Sequence, residues 1–506
     1  FQKKVNKKSG RNTHSGLLLL QFPYCTAACH LSAGEAIFCE EAFSVGPKSG
    51  SPLLCLGCHK ALDEVKTCNK CRWPVCNEEC SKQEIHSKNE CAIFSSVGVK
   101  FNLDGDASAQ LECITVLRTL LESERDATRW NDEVVVLEDH TNDRKARPEF
   151  WSAEQINVVD FLYEKCKLRS RFKKDTIQKV CGILEVNCFE VITEEYSSIR
   201  GLYPKLAIMS HNCVANTTHS KILNEHKMIV RTTVAVKEGD ELYSSYTRST
   251  ESTLLRRVKL WDSKFFHCQC QRCSDPTELG THLNTLKCTK CDNGLIFSAD
   301  PLDNDAPWNC NLCDNAITAA GVQKVYKVVQ DELEELEQIP FGPEKIEAAE
   351  KRLKQYKSFL HPRHAFKLAL WHELMLLYGR AEGYSLDMLP DILLERKAEM
   401  CRNLLQTYDV IEPGYTRVRG VTLYELHVAL LLYNRSQYEY RVLTLDKFKA
   451  EMKKVADILE ESGKILSLEP EGSQEFTIGL SALNSVAQLR ESVEKLKEES
   501  ENKIDE

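Results

Sequence analysis

The chain has 506 residues, of which 28% are charged and 42% hydrophobic, and a formal net charge of -9. That length accommodates two or three domains with substantial cores, and the composition is that of an ordinary globular chain. The negative balance argues against nonspecific nucleic-acid binding by the chain as a whole. No apolar run approaches the roughly 20 residues that a membrane helix needs.

Residues 1–50 read as short strands, with turns at Ser32-Ala33-Gly34 and Gly46-Pro47. The run Leu17 to Leu20 follows a basic segment (Lys3, Lys4, Lys7, Lys8, Arg11), as in a signal peptide, but Gln21 and Pro23 interrupt it. It therefore reads as a buried strand. Residues 51–95 are dense in cysteine. Residues 96–180 read as helices, Ala109 to Leu121 and Ser152 to Lys167, with a charged loop between them. Residues 181–315 return to strands: Ile183 to Ile192 and Met228 to Val236 are rich in β-branched residues, with turns at Asn224-Glu225 and Lys237-Glu238-Gly239-Asp240.

From about Ile317 the pattern is helical. Val322, Val325, Val329, Leu333 and Leu336 recur at helical spacing, as do Ile346, Ala349, Leu353, Tyr356 and Leu360 after Pro343. Amphipathic segments follow over 364–380, 390–410, 420–440, 445–467 and 474–499. Helices of this length joined by short loops predict stacked antiparallel pairs, loosely tetratricopeptide-like. The charge-rich stretch Glu491 to Glu506 is expected to fray.

The 23 cysteines belong either to a disulfide framework or to metal sites. Metal sites need close pairs whose sulfurs reach one ion, and here the cysteines come as CxxC pairs; beyond residue 316 only Cys401 remains. The clustering favours zinc in a reducing compartment, cytoplasm or nucleus. Cys55, Cys58, Cys68, Cys71, Cys76, Cys80, His86 and Cys91 supply ligands for two tetrahedral sites. Their order suggests interleaving: Cys55, Cys58, Cys76 and Cys80 around one ion, Cys68, Cys71, His86 and Cys91 around the other. A segment this short buries little core, so metal would supply most of its folding free energy. Cys268, Cys270 and Cys273 form a three-thiolate knot that needs a fourth ligand from elsewhere. Cys288, Cys291, Cys310 and Cys313 have zinc-ribbon spacing. The remaining Cys25, Cys29, Cys39, Cys113, Cys166, Cys181, Cys188 and Cys401 follow no metal spacing and read mostly as small buried apolar residues.

Two segments carry a resemblance. Gly201-Leu-Tyr-Pro-Lys-Leu-Ala-Ile-Met-Ser-His-Asn-Cys-Val-Ala-Asn216 and Gly239-Asp-Glu-Leu-Tyr-Ser-Ser-Tyr246, followed by Arg256, Arg257, Leu260 and the Cys268 knot, resemble the SET and post-SET motifs of the SMYD protein-lysine methyltransferases. The first cysteine cluster is similar to that family's MYND finger. Glu412-Pro-Gly-Tyr-Thr-Arg-Val-Arg-Gly420, the helical tail and the added ribbon look like the arthropod SmydA branch.

The resemblance implies an α+β multidomain chain. Residues 1–50 and 181–267 would form a split SET β-fold, 51–95 an inserted MYND zinc finger and 96–180 a helical insert. Residues 268–315 would hold the post-SET zinc knot and the ribbon, and 316–506 the tetratricopeptide-like helical domain. It also implies methyl transfer from S-adenosylmethionine to lysines of histone or non-histone proteins, with about four structural zinc ions. Tyr246 aligns to the catalytic tyrosine, which also touches the cofactor. Asn187, Ser210 and His211 align to cofactor contacts, Phe266 to the aromatic on the adenine, and Cys213 to the cysteine that completes the post-SET zinc.

Some positions depart from the family pattern. Ser210 stands for the family's asparagine, and Lys264 for an aromatic in the post-SET linker. Gly10, Arg11 and Gly16 are only remnants of a glycine-rich opening, and Phe22 to Cys29 does not read like the strand that follows it. These departures keep a second reading open: a catalytically inactive SET/MYND adaptor in transcriptional regulation, whose finger grips a proline-rich peptide and whose helical tail presents a concave surface. Lys60, Lys66, Lys70, Arg72, Lys82 and Lys88 would suit DNA binding by the finger, but such charges are more often a solvated face.

Overall fold

The computed structural model describes residues 18–21, 24–193, 197–223 and 225–502. Gly10, Arg11, Gly16, Leu17, Phe22 and the turn residue Asn224 lie outside the described residues. Eight short strands make up the first half: β1 (Leu18–Gln21), β2 (Tyr24–Ala27), β3 (Ala36–Glu41), β4 (Ser44–Gly46), β5 (Cys188–Ile192), β6 (Ser198–Leu202), β7 (Thr217–Ile222) and β8 (Lys227–Thr232). β1 and β2 are a hairpin. The others form two antiparallel sheets of order β3-β8-β7 and β4-β6-β5. Each of these two sheets therefore joins a strand from before residue 47 to strands from after residue 187. Everything between is an insertion, and the two flanks must meet before either can bury its apolar face.

The insertion is helical after its cysteine-rich start. Asp106 caps the helix Ala107–Arg125 by accepting from the Ser108 N–H, and Leu111, Ile114, Leu117 and Leu120 bury one face. The segment Pro148–Glu154 runs on into Gln155–Lys165, where the hydrogen bonding widens to the π pattern. The expected strand from Ile183 is only half present. The helix Lys174–Asn187 continues through Ile183, Leu184 and Val186, and β5 begins at Cys188. Ile177, Val180, Cys181, Ile183 and Leu184 pack from that helix into one core, and this burial outweighs the modest helix penalty of β-branched residues. Residues 181–315 also contain a long helix, Thr253–Lys264, and the short helices Pro204–Ala207 and Gln271–Ser274, where strands were expected.

The small strands β9 (Leu286–Lys287), β10 (Leu295–Ser298), β11 (Trp308–Cys310) and β12 (Ala316–Ile317) form an antiparallel sheet in that order. Seven helices then run to the end of the described chain: Ala319–Glu337, Pro343–Tyr356, Ala365–Leu377, Asp391–Ile411, Arg417–Glu439, Leu445–Leu466 and Gln474–Asn502. Each apolar periodicity in the sequence corresponds to one of them. Among the described residues no helix is long and apolar enough to cross a membrane.

The helical half is fastened to the strands by the segment around Gly414. The Tyr415 N–H donates to Thr233 O at 2.7 Å, and Ser249 donates to the Glu412 carboxylate. Gly414 adopts φ +80°, and a Cβ there would lie 2.0 Å from Thr233 O, so only glycine allows the approach.

Buried imidazoles give this half a defined pH response. His364 is fully buried: its Nδ1 accepts from the Phe366 N–H at 3.3 Å, so its Nε2 carries the proton toward Tyr326 Oη, 2.9 Å away, and Tyr326 lies 2.9 Å from Asn284 Oδ1. Burial lowers its pKa to about 3, and that of His427 to about 4. In the unfolded chain both return to about 6.5. Their contribution is therefore complete above that value and is lost as pH falls, because the unfolded state takes up protons that the fold refuses. Stability should drop by about 1.4 kcal/mol per pH unit for each such proton. His364→Asn keeps a capping side chain and removes one titration. Urea unfolding should give a pH slope shallower by about that amount, and an unchanged slope would contradict the account.

Candidate functional site

Four groups of ligand atoms converge. They are Cys55, Cys58, Cys76 and Cys80; Cys68, Cys71, His86 and Cys91; Cys213, Cys268, Cys270 and Cys273; and Cys288, Cys291, Cys310 and Cys313, each with its atoms within 4.8 Å of one another. All 23 cysteines are free. A zinc ion about 2.3 Å from four sulfurs sets them about 3.8 Å apart, whereas a disulfide brings two to about 2.0 Å. The Cys68–Cys91, Cys213–Cys268 and Cys288–Cys313 sulfurs are 3.8, 3.9 and 3.7 Å apart. The geometry is compatible with zinc in all four, and it reproduces the interleaved order of the first two.

The second group is tied to the core through its histidine. His86 Nδ1 meets Glu90 Oε1 at 2.8 Å, which leaves Nε2 facing Cys71 Sγ at 3.6 Å. Glu90 is completely buried. Burial opposes its ionisation, but the Arg118 guanidinium, 2.7 and 2.9 Å from its oxygens, holds its pKa below the usual carboxylate range. Arg118 also donates to Val45 O and Leu56 O, so one guanidinium joins the cysteine-rich segment to β4 and the helix Ala107–Arg125. A carboxylate orienting a ligating imidazole is the usual support of a metal histidine.

The third group lies beside a cavity that its neighbours His211, Tyr246 and Phe266 line. Segment 209–213 runs parallel to segment 242–246: Ser244 N donates to Ser210 O at 3.0 Å, and Asn212 N donates to Ser244 O at 3.1 Å. This pairing places Tyr246 beside His211. The Tyr246 N–H donates to His211 Nδ1 at 3.0 Å, and the Tyr246 hydroxyl donates to Met209 O. His211 Nε2 lies 3.2 Å from Cys213 Sγ, so both ring nitrogens are engaged within the protein. Burial lowers the His211 pKa to about 4 and raises that of Tyr246 to about 12; the ring stays neutral and the hydroxyl protonated near neutral pH. Phe266 completes an aromatic corner, its ring centre 5.9 Å from His211 and 6.4 Å from Tyr246.

The cavity measures about 580 Å³, and Asn187, Ser210, His211, Tyr246 and Phe266 all line it. That volume is within the usual range for a small-molecule site. Asn187 ends its helix, donating to Glu138 O at 2.8 Å and Ile183 O at 2.9 Å.

No protein-family model matches the chain. The SET domain-containing protein SmydA-8, isoform A, of Drosophila melanogaster is 31% identical over 314 residues, which cover 58% of this chain and 63% of that protein. The chain is a relative of the SMYD proteins. The N-lysine methyltransferase SMYD2 of Gallus gallus is 26% identical over 48% of this chain and 55% of its own length. The histone-lysine N-methyltransferase ASHR1 of Arabidopsis thaliana is 23% identical over 77% and 81%. The chain thus spans slightly under two thirds of SmydA-8.

In this SMYD relative, sequence reasoning missed much of the cavity wall. Leu137, Glu138 and His140 enter from the helical insertion, Phe189 and Glu190 from β5, and His219 from β7. None has a spacing that marks it; only the sheet pairing and the docking of the insertion bring them to the site. Cys188, read as an apolar filler, is only partly buried and also lines the cavity. Of the other cysteines without metal spacing, Cys39 is exposed and Cys29 partly so, while Cys25, Cys113, Cys166, Cys181 and Cys401 are buried.

Proposed function

We propose that this SMYD relative is an S-adenosylmethionine-dependent protein-lysine N-methyltransferase acting on histone or other proteins. The observation that carries the reading is the convergence of Asn187, Ser210, His211, Tyr246 and Phe266 on one cavity from four separated stretches of chain. Residues 1–50 and 181–267 would form the split SET core and 51–95 the MYND finger, with 268–315 the zinc knot and ribbon and 316–506 the helical domain. The zinc would be structural, since each group offers four protein ligands and keeps no open position. A finger partner would be a proline-rich peptide, and the compartment cytoplasm, nucleus or both.

The cavity's donor set suits the cofactor. Asn187 and Ser210 offer polar groups, and Phe266 offers a ring face for the adenine. Bound there, the cofactor would supply an electrophilic methyl group. The chain's own work is positioning: holding an amine in line, excluding water and favouring its neutral form. The Tyr246 hydroxyl, protonated and directed at Met209 O, is the group available to orient the amine. Tyr246→Phe should lower turnover by about 10²-fold. Cofactor affinity, measured by calorimetry, should change little. Unchanged turnover would remove Tyr246 from the mechanism, and no binding heat from the metal-loaded protein would refute the enzyme reading.

A second reading, an adaptor with a closed acceptor site, is favoured by one observation. Lys264 stands inside the cavity where the family carries an aromatic, with its amine 5.5 Å from the centre of the Tyr246 ring.

A further inference from the structure

Lys264 is the last residue of the helix Thr253–Lys264. The next residue, Phe265, turns the chain at φ +59°. Its ring stacks on His140 at 5.1 Å and lies beneath the Arg147 guanidinium at 4.5 Å. Phe265 is thereby pinned against the helical insertion, and Lys264 is directed into the cavity beside Phe266. There its Nζ donates to Val186 O and sits against the Tyr246 ring.

A buried lysine that serves as a strut is normally given a counter-charge. Lys397 in the helical half is such a case: its Nζ meets Glu425 Oε2 at 2.6 Å and two backbone carbonyls at 2.7 and 2.6 Å. Lys264 has one carbonyl for three donors; Glu185 acts on it from a distance, and among the described residues no carboxylate is in ion-pair contact with it. Burial accordingly lowers its pKa, which raises the share of free amine. Lys264 thus brings a partly desolvated amine to the side of the same tyrosine to which the methyltransferase reading assigns a substrate amine.

We propose that Lys264 is itself a methyl acceptor, a modification site built into the cavity wall; this rests on the methyltransferase reading above. The Lys264 lone pair attacks the methyl carbon of a sulfonium donor. The N–C bond forms as the C–S bond breaks, and the C–S electron pair stays on sulfur, which leaves as a neutral thioether. The methylammonium then releases its proton to water. Because the acceptor belongs to the same chain, the fraction of molecules modified per unit time is independent of protein concentration.

The test uses the full zinc-loaded chain incubated with trideuteromethyl S-adenosylmethionine, followed by peptide mass mapping. The expected result is label on Lys264 at a per-molecule rate unchanged by tenfold dilution, and none there in Lys264→Arg. A second readout needs no turnover: competitive acylation of lysines across pH, read by mass, should place the ionisation of Lys264 below that of the surface lysines. A normal titration, or label confined to other lysines, overturns the proposal. Binding of S-adenosylhomocysteine, followed by thermal shift, separates the two ideas. If it binds and Lys264 stays unmodified, only this inference fails; if it does not bind, the methyltransferase reading fails as well.

Discussion

Stripping the metal is expected to unfold residues 55–91 and 268–313 and to open the cavity wall. The Cys-rich segments have few regular elements: residues 55–91 hold only the short helices Glu78–Lys82 and Glu84–Ser87 and the start of a third. Structural zinc contributes on the order of 10–16 kcal/mol in isolated fingers, comparable to the whole net stability of a typical domain. Without it, the four converging ligands at each site lose the interaction that holds them together. The third group matters most for function, because Cys213 Sγ meets the His211 ring, whose other nitrogen accepts the Tyr246 N–H. Elemental analysis should find about four zinc ions per chain, in line with the four groups. Treatment with a strong chelator should then expose these segments first to limited proteolysis. Metal-free protein that keeps its protease resistance would contradict the account, as would disulfides mapped at these cysteines.

The second large effect is expected from Glu278→Ala. Glu278 lies 1% exposed between Arg256 and Arg272, both completely buried, at 2.8 Å from each. It also accepts the Thr253 N–H at 2.7 Å. Burial alone would raise its pKa, but the two guanidiniums pull it below the usual carboxylate range. The same arginines face the third metal group: Arg256 Nε is 3.3 Å from Cys213 Sγ and its Nη2 is 3.6 Å from Cys273 Sγ, while Arg272 donates to Cys213 O. Four thiolates around a dication carry two net negative charges, which the two guanidiniums balance; Glu278 fixes the guanidiniums in place. Removing it leaves two buried cations without their common partner, a loss of about 3–5 kcal/mol. Chemical denaturation of the zinc-loaded variant measures this. A cost under about 1 kcal/mol would mean that the thiolates alone hold the arginines. Glu278→Gln keeps an acceptor for Thr253 N and should fall between the variant and the wild type.

Several features were legible from local chemistry. Apart from Cys213, which the family motif located, the ligand groups follow from close cysteine spacing, because two cysteines so placed can face one ion whatever surrounds them. The seven C-terminal helices follow from apolar periodicity. The family motifs located Asn187, Ser210, His211, Tyr246 and Phe266, and the structure gathers these five around one cavity.

The sequence misled at Ile183 to Asn187, where β-branched residues suggested a strand and the chain is helix. Propensity there amounts to a few tenths of a kcal/mol per residue, whereas burial of Ile183 and Leu184 in the shared core contributes more. The Glu278 pair of arginines, the Glu90–Arg118 link and the inward position of Lys264 were likewise invisible, since each depends on residues brought together across long loops. Spacing and periodicity, which act over a few residues, determined the metal groups and the helices of this protein. Only tertiary structure decided the cavity, because its walls come from the helical insertion and from strands and loops after it, which meet only when the insertion docks on the paired strands.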